Sequence, residues 1–163
     1  MTHQATIRPA TDDDLSFVKE TLYLALSWDP EDPIPPFDAV VDHPEITKYH
    51  AGWMRPGDAG IIAEIDGAFA GMAYYRLFPD DDRGQGFYDS DTPELAIGLR
   101  HEFRGAGIGG RLMKELETEA RRTGVPRISL SVSKGNPAAR LYERLGYRYA
   151  SDGHEELMLL DVT

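Results

Sequence analysis

The stretch FRGAGIGGRLMKEL, residues 103–116, places an arginine and four glycines directly in front of a helical pattern. The glycines let the backbone turn tightly and let a ligand approach its N–H groups closely. At the start of a helix those N–H groups carry a partial positive charge, so the stretch favours an anionic ligand. The helix itself is predicted by apolar side chains that recur every four residues, at Ile108, Leu112, Leu116 and Ala120.

The glycine pattern by itself is compatible with more than one structure. A glycine-rich turn between a strand and a helix can serve packing alone, without a ligand. A Walker A loop ends in Gly-Lys-Ser/Thr, whereas Arg111 follows Gly110 here, so nucleotide hydrolysis is not supported. The spacing Gly105-x-Gly107-x-x-Gly110 matches the dinucleotide fingerprint, but the next strand ends in SVSK, residues 131–134, without the acid that would hold a ribose. Only 53 residues follow Gly110, too few for the rest of a doubly wound sheet, which disfavours the Rossmann interpretation.

Short apolar runs predict three core strands before the glycine loop. GIIAEI (60–65) and GAFAGMAYYRLF (67–78) are joined at Asp66-Gly67, a dipeptide typical of a tight hairpin turn, and should pair antiparallel. ELAIGLR (94–100) leads into the loop as a third strand. Its apolar side chains share one face, at Leu95, Ile97 and Leu99.

A strand, a helix and two closing strands follow the loop. ISLSV (128–132) predicts the strand, and NPAARLYERLG (136–146) predicts a helix with Asn136 as its N-cap and Pro137 at its first position. YRYA and ELMLLDV close the chain as strands. Earlier in the chain, a helix is expected after Thr11 or Asp12, and a second helical region near residues 38–52 is interrupted at Pro44. The order of elements predicts an α/β fold.

Composition and charge restrict the function. The chain has 163 residues and no cysteine, which excludes disulfides, thiolate nucleophiles and cysteine-based zinc sites. Its formal net charge of −11 disfavours nucleic acids and anionic membranes and would attract cationic small molecules or basic peptides. No histidine spacing typical of metal ligands and no G-x-S-x-G elbow occurs, so neither a metal site nor serine hydrolysis is predicted. Without a secretory signal or a run of ~20 apolar residues, we expect a cytoplasmic protein with one domain over residues 1–163.

Two motifs resemble those of the GCN5-related N-acetyltransferases (GNATs). The first, about residues 93–122, contains RGAGIG from Arg104 and is similar to the Arg/Gln-x-x-Gly-x-Gly/Ala pattern of the family's motif A. The second, about residues 127–147, contains NPAARLYERLGYR and is similar to motif B, with Asn136 at the start of its helix and Tyr142 in its body. The resemblance implies a single-domain α/β GNAT fold. It would have a mixed, largely antiparallel sheet of about six to seven strands, a splayed parallel pair and about four flanking helices.

The resemblance also implies a cosubstrate, acetyl-CoA, and the residues that bind it. The pantetheine arm is expected between ELAIGLR and ISLSV, bound by backbone groups near Leu99 and by Asn136, although a helix N-cap needs no ligand. Gly98 is expected to form the bulge that opens these strands, or merely to weaken one of them. Backbone N–H groups near Gly98 or Leu99 should stabilise the oxyanion. The pyrophosphate is expected on the amides of Arg104, Gly105, Ala106, Gly107, Ile108 and Gly109.

Catalytic candidates combine the chemistry of acyl transfer with the resemblance. Tyr142 matches the family tyrosine that protonates the departing thiolate, although a helical tyrosine is also a common core residue. Glu94 is the leading general base, at a position where family members often carry an acid, although a glutamate at a strand edge is often merely solvated. Glu64 and His101 are weaker candidates for the base.

The expected reaction is direct transfer of an acetyl group to a primary amine of a small molecule or peptide. The alternative is a non-catalytic acyl-CoA sensor that keeps the cofactor loop. Small amines, amino acids, aminoglycosides and protein amines all stay open as acceptors, because residues 24–56 and 79–92, which usually form that site, carry little pattern.

Homodimers are common in the family, and nothing in the sequence establishes one here. Five aromatic residues could line the acceptor site or belong to the core: Trp28, Phe37, Trp53, Tyr74 and Tyr75.

Overall fold

A computed structural model describes residues 4–150 and 156–162, and over these residues seven strands form one sheet. The strands are β1 (Ala5–Pro9), β2 (Ala59–Ile65), β3 (Ala68–Arg76), β4 (Glu94–Leu99), β5 (Arg127–Ser131), β6 (Arg148–Tyr149) and β7 (Leu157–Asp161). Their order is β1-β2-β3-β4-β5-β7-β6, and every neighbouring pair is antiparallel except β4 and β5.

Five α-helices lie within the same residues. They are α1 (Leu15–Leu26), α2 (Phe37–Val41), α3 (Pro44–Thr47), α4 (Ile108–Arg122) and α5 (Ala138–Arg144). The helical region expected to break near Pro44 forms the two short helices α2 and α3. The predicted α/β fold with a mixed, largely antiparallel sheet is confirmed.

Both faces of the sheet are covered by helices. In β2, Ile61 packs on the face that carries α4 and α5, and Ile62 packs on the face that carries α1, because successive side chains of a strand point to opposite sides. Coverage of both faces explains why the central strands appear in the sequence as nearly continuous apolar runs. The predicted hairpin turn joins β2 to β3, with φ of 52° at Asp66 and 79° at Gly67.

Helix α4 packs on the sheet through the predicted apolar face. Each of its two buried leucines contributes about 1.5–3 kcal/mol by leaving water. The helix begins after Gly107, whose φ of 80° lies in the left-handed region that favours glycine. The four predicted apolar positions are all buried: Ile108, Leu112, Leu116 and Ala120.

The parallel strands β4 and β5 are paired at one end and separated at the other. Among the described residues they share a single paired position, Glu94 with Ser129. Next to it, the Ser129 N–H donates to the Pro93 carbonyl at 3.0 Å. Beyond this point β4 continues to Leu99 without a partner in β5. The predicted splayed pair is therefore present.

Gly98 does not open this gap. It stays in register with Met72 of β3, and the irregularity in the neighbouring ladder lies between Ala63 and Glu64 of β2. A methyl group at Gly98 would lie 2.7 Å from the carbonyl oxygen of Thr21 in α1. The predicted bulge is therefore wrong, and the missing side chain serves close packing of α1 on β4.

A buried ion pair connects the end of β3 to the segment after α3. The side chains of Arg76 and Asp58 are fully buried, and two N–H groups of Arg76 donate to the two carboxylate oxygens at 3.0 and 2.7 Å. The remaining guanidinium nitrogen donates to the carbonyls of Lys48 and Ala51 at 3.1 and 2.7 Å. Because these two carbonyls flank Tyr49 in the chain, Arg76 holds the backbone that carries Tyr49.

Candidate active site

A cavity of about 630 Å³ lies in the gap between β4 and β5. Its walls come from the end of α1, from the whole of β4, from the end of β5 and from α5. Glu94 borders the cavity at the amino end of β4, and the glycine loop, residues 104–110, borders it beyond the carboxyl end. Leu99 is five positions along the extended strand from Glu94, a distance of about 17 Å. The two features therefore lie at opposite ends of one space.

The glycine loop presents backbone donors that the protein itself does not use. Within the described residues, the N–H groups of residues 105–110 make no hydrogen bond, whereas the Arg104 N–H donates to the His101 carbonyl at 3.2 Å. A methyl group at Gly105 or Gly107 would meet no atom within 4 Å, so the space in front of the loop is open. The N–H of Arg104, the first of the six expected donors, is therefore bonded within a 3₁₀ turn, which leaves the five from Gly105 to Gly109. With the N–H of Gly110, six amides are available to an anion.

The backbone of β4 also presents unused groups to the gap. The Arg100 N–H donates to the Ala70 carbonyl in β3 at 2.9 Å. Since backbone groups alternate sides along a strand, the N–H of Gly98 also points toward β3, while those of Ile97 and Leu99 point into the gap. Leu99 thus presents its N–H to the cavity, as the sequence suggested, and Gly98 does not.

Glu94 is a buried carboxylate at the far end of the cavity. Only 5% of the residue is exposed, and its Oε1 accepts hydrogen bonds from the Gly86 N–H and from the Tyr49 hydroxyl, the latter at 3.3 Å. Its Oε2 is buried and has no hydrogen-bond partner among the described residues. Burial raises the pKa of Glu94 to about 7, against the lowering effect of the two donors. The group can therefore take up and release a proton near neutral pH.

Residues 84–86 cover this carboxylate closely. The Gly86 N–H donates to Glu94, and the Gly86 carbonyl accepts from the Ser129 hydroxyl at 2.7 Å. A methyl group at Gly84 would overlap Oε2 of Glu94, and one at Gly86 would lie 2.6 Å from Oε1. The space around the carboxylate is consequently narrow.

Tyr49 links this cover to the carboxylate and carries no signal in the sequence. Its hydroxyl accepts from the Gln85 N–H at 2.5 Å and donates to Glu94. Burial, with the charge of Glu94 as a second cause, raises the pKa of Tyr49 far above its usual range, so the hydroxyl stays protonated. Tyr49 lies in an irregular segment 45 residues before Glu94, and no local spacing relates the two residues.

Tyr142 and Asn136 line the middle and the loop side of the cavity. Tyr142 is 7% exposed, and burial raises the pKa of its hydroxyl to about 12. Its ring centroid lies 6.1 Å from that of Tyr147, so Tyr142 is a core residue as well as a cavity residue. The Asn136 Oδ1 accepts at 3.0 Å from the N–H of Ala138, the first residue of α5. The helix begins one residue later than predicted, so Pro137 and not Asn136 directly precedes it.

Comparison with known proteins identifies the family. A model of the Acetyltransferase (GNAT) family matches residues 22–147. The chain belongs to the GNAT acetyltransferase family. Solved structures that share this GNAT fold include the following three. The structure of yncA from Salmonella typhimurium with its cofactor acetyl-CoA is 22% identical with a TM-score of 0.67, and the match covers 98% of this chain and 95% of that one.

The PaiA N-acetyltransferase from Thermoplasma acidophilum, in complex with coenzyme A, is 16% identical with a TM-score of 0.70, and 97% of this GNAT chain and 99% of that chain are covered. A GNAT family acetyltransferase from Brucella melitensis, in complex with acetyl-CoA, is 18% identical with a TM-score of 0.61 over 98% and 89% of the two chains. At these identities the likeness shows the fold alone.

Several other sequence candidates lie outside the cavity of this GNAT chain. Glu64 on β2 pairs with Arg8 at 2.9 Å, and His101 is exposed in the 3₁₀ turn before the glycine loop. Among the five aromatic candidates, Trp28 lines the cavity and Phe37 is partly exposed on α2. The other three are buried in the cores on the two faces of the sheet: Trp53, Tyr74 and Tyr75. Over residues 4–150 and 156–162, no helix has the length and apolarity of a membrane span, and no group of three candidate metal ligands occurs.

Charge is distributed unequally over this GNAT chain. The acidic segments, residues 24–56 and 79–92, carry eleven carboxylates and three cationic side chains, a net of −8 out of −11 for the chain. Residues 100–111 and 133–144, which contain the glycine loop and α5, carry six cationic side chains and two carboxylates. The acidic segments contribute Tyr49 and Gln85 to the cavity wall near Glu94. The two ends of the cavity therefore lie in regions of opposite charge.

Proposed function

We propose that this chain transfers an acetyl group from acetyl-CoA to a primary amine. One cavity with six unused backbone amides at one end and a buried carboxylate of raised pKa at the other supports the proposal. Membership of the family supports acyl transfer in general, and the three relatives described above were solved with acetyl-CoA or coenzyme A. A sensor that only bound the donor would have no use for a carboxylate that is buried at a cost in stability.

The glycine loop would hold the pyrophosphate of acetyl-CoA. Hydrogen bonds to a charged group contribute about 1.5–3 kcal/mol each, and the positive end of the α4 dipole adds to them. Arg104 borders the same end of the cavity with a full positive charge. The N–H groups of Ile97 and Leu99 would bind the pantetheine arm and the thioester oxygen. The side-chain N–H groups of Asn136 would donate hydrogen bonds to acetyl-CoA.

Glu94 and Tyr142 would handle the protons of the reaction. Glu94 takes one proton from the ammonium group of the acceptor, which leaves a neutral amine with a free electron pair. As the bond from nitrogen to the acetyl carbon forms, the carbon–sulfur bond breaks and Tyr142 gives its proton to sulfur. The nitrogen then releases its second proton to the Tyr142 oxygen, and Glu94 passes its proton to water. An ammonium ion and acetyl-CoA thus yield the acetylated amine, the free thiol of coenzyme A and one proton.

The pKa values agree with these roles. Proton transfer from an amine of pKa about 10 to a carboxyl of pKa about 7 is uphill by about 4 kcal/mol, against about 7.5 kcal/mol for a carboxyl at 4.5. Burial makes Tyr142 a weaker acid than an exposed tyrosine. Transfer of its proton to an exposed thiolate therefore costs more free energy than the ordinary tyrosine pKa of about 10 predicts. The same apolar surroundings raise the pKa of a thiol, so the tyrosine and the sulfur shift in the same direction.

Gly107→Asp is expected to weaken coenzyme A binding at least about tenfold relative to Gly107→Asn, because the carboxylate repels the pyrophosphate. Asparagine has nearly the same size and also tolerates the left-handed backbone, so the pair isolates the charge. Isothermal titration calorimetry with coenzyme A measures both affinities. Gly124→Asp, at the other end of α4 with the same φ of 80° and open space around it, controls for backbone strain. Equal affinities of the two Gly107 variants would exclude the pyrophosphate from the glycine loop.

Tyr142→Phe is expected to lower kcat by about 10–100-fold and to leave the affinity for coenzyme A unchanged, because the ring still fills the wall while the proton donor is lost. Thiol release at saturating substrates measures kcat, and calorimetry measures the affinity. Tyr147→Phe, on the neighbouring buried ring, is the matched control and should stay within about twofold of the wild type. Turnover of Tyr142→Phe at the wild-type rate would mean that another donor protonates the sulfur.

A further inference from the structure

The buried carboxylate of Glu94 calls for a cationic partner of small cross-section. Its Oε2 lacks a hydrogen-bond partner among the described residues, and an unpaired charge at such depth is unfavourable. The backbone of residues 84–86 covers it so closely that one methyl group at Gly84 would overlap the oxygen. Because Oε2 is fully buried, an acceptor amine reaches it only when residues 84–86 shift outward. An unbranched methylene–ammonium group requires a smaller shift than a sugar ring or a branched carbon next to the amine.

Apart from Tyr49 and Gln85, the part of the cavity wall that the acidic segments supply is apolar. Leu26, Trp28 and Ile46 line it from the end of α1, the segment after α1 and α3. Leu26 is 43% exposed, so this wall continues to the protein surface. Such a wall favours methylene groups over hydroxyl or amide groups, because the latter would lose water without gaining hydrogen bonds.

The acidic segments that frame this end are only partly neutralised by their own cations. Lys48 pairs with Glu45 at 3.0 Å and with Asp82 at 3.5 Å. Arg83 pairs with Asp80, and Arg55 donates to the Leu77 carbonyl at 2.6 Å. All three cationic side chains of these segments are therefore engaged within the protein. With eleven carboxylates against them, the rim keeps a strong negative field.

From this geometry we propose that the acceptor is a slender aliphatic polyamine: an unbranched methylene chain with a primary amine at one end and at least one further positive charge. The reacting amine lies at Glu94, the methylene groups lie along Leu26, Trp28 and Ile46, and the distal charge lies in the field of the acidic segments. This inference rests on the proposed acetyl transfer and specifies the substrate class of the same site. An α-amino acid is opposed because its carboxylate, one carbon from the amine, would lie beside the carboxylate of Glu94. An ω-amino acid is opposed because its carboxylate would lie where the distal cation is favoured. An aminoglycoside has the charges, but its aminomethyl group is attached directly to a hydroxylated sugar ring, which the apolar wall disfavours.

Three amines of matched chain length test the distal charge: 1,4-diaminobutane, pentylamine and 4-aminobutyrate. With saturating acetyl-CoA, thiol release should give a kcat/KM for the diamine about tenfold or more above that of pentylamine, and for 4-aminobutyrate about tenfold or more below it. Raising the salt concentration from about 0.05 to about 0.5 M should reduce the advantage of the diamine severalfold, because exposed charges are screened.

A pair of charge variants locates the effect. Asp29→Asn combined with Asp81→Asn, in the two acidic segments, should raise the KM for 1,4-diaminobutane about 3–10-fold and leave that for pentylamine unchanged. Glu115→Gln combined with Glu143→Gln removes the same charge from exposed positions on α4 and α5 and should change neither KM by more than about 1.5-fold.

The outcomes separate this inference from the proposed function. If coenzyme A binds but no amine in a set that also contains an aminoglycoside and a lysine-rich peptide releases thiol, acetyl transfer itself is refuted. If pentylamine or 4-aminobutyrate equals the diamine, or if the aminoglycoside or the peptide exceeds it, transfer stands and the polyamine assignment is overturned. Equal effects of the two charge pairs would also overturn it.

Discussion

Glu94→Gln is expected to lower kcat for acetyl transfer by about 10²–10⁴-fold, the usual contribution of a general base. Glutamine keeps an oxygen that can accept from the Gly86 N–H and the Tyr49 hydroxyl, so the geometry should survive. Its amide cannot take a proton from the acceptor. Thiol release at saturating acetyl-CoA and amine measures the loss. Glu64→Gln, a strand glutamate outside the cavity, is the matched control and should stay within about twofold of the wild type.

The pH dependence of kcat should identify the group that is lost. In the wild type, kcat should fall about tenfold per pH unit below about 7 and level off above it, because the ionised carboxylate is the active form. In Glu94→Gln this acid limb should be absent. If kcat of the variant falls at low pH with the same midpoint, the titrating group is the acceptor amine, and Glu94 is not the general base.

Glu94→Gln, which should lower kcat, should raise the stability of the fold relative to the wild type as the pH increases. Folding raises the pKa of Glu94 from 4.5 to about 7, so the folded state favours the protonated form and the wild type loses stability as pH rises through about 7. The shift corresponds to about 3 kcal/mol in the free energy of unfolding. The stability of Glu94→Gln relative to the wild type should therefore rise by about that amount between about pH 4 and about pH 9, as measured by urea unfolding. If the difference in the free energy of unfolding between the variant and the wild type does not change with pH, the carboxylate is solvated in the folded state.

Arg76→Met is expected to lower the free energy of unfolding by about 3–5 kcal/mol, because Asp58 would be left buried without a counterion. The carbonyls of Lys48 and Ala51 would lose their donor as well. Urea unfolding at neutral pH measures the change. Arg83→Met, which breaks an exposed ion pair with Asp80, should cost less than about 1 kcal/mol.

The double variant Arg76→Met with Asp58→Leu should recover part of this loss, since no charge would then be left buried. If the double variant is as unstable as the single one, the carbonyl contacts and not the ion pair account for the effect of Arg76.

Elements with strong local patterns were predicted from the sequence. The four-residue repeat of α4, the Asp66-Gly67 turn and the Asn136 hydrogen bond at the start of α5 involve groups within a few positions of one another, so the residue types are sufficient to specify them. The glycine loop was predicted for the same reason. The bond from the Arg104 N–H to the His101 carbonyl could not be predicted, because it depends on a 3₁₀ turn without a distinctive composition.

Features that join distant segments could not be predicted. Gly98 was expected to open the strands, yet its bare surface faces Thr21, 77 positions earlier, where no sequence pattern indicates the contact. Tyr49 reaches Glu94 across 45 residues, and Arg76 reaches Asp58 across a hairpin. Polar residues in such contacts look like solvated surface residues when only their neighbours in the chain are visible.

The sequence by itself determined that a loop of glycines precedes an amphipathic helix between two core strands, because backbone conformation and apolar periodicity are local properties. It also determined that a glutamate begins one strand and that a tyrosine lies in the second α-helix after it. Only the tertiary structure decided that this glutamate is buried beneath residues 84–86, with one oxygen that has no hydrogen-bond partner within residues 4–150 and 156–162. Its pKa depends on how much water the distant segments exclude, and desolvation is a property of the assembled site rather than of any stretch of chain.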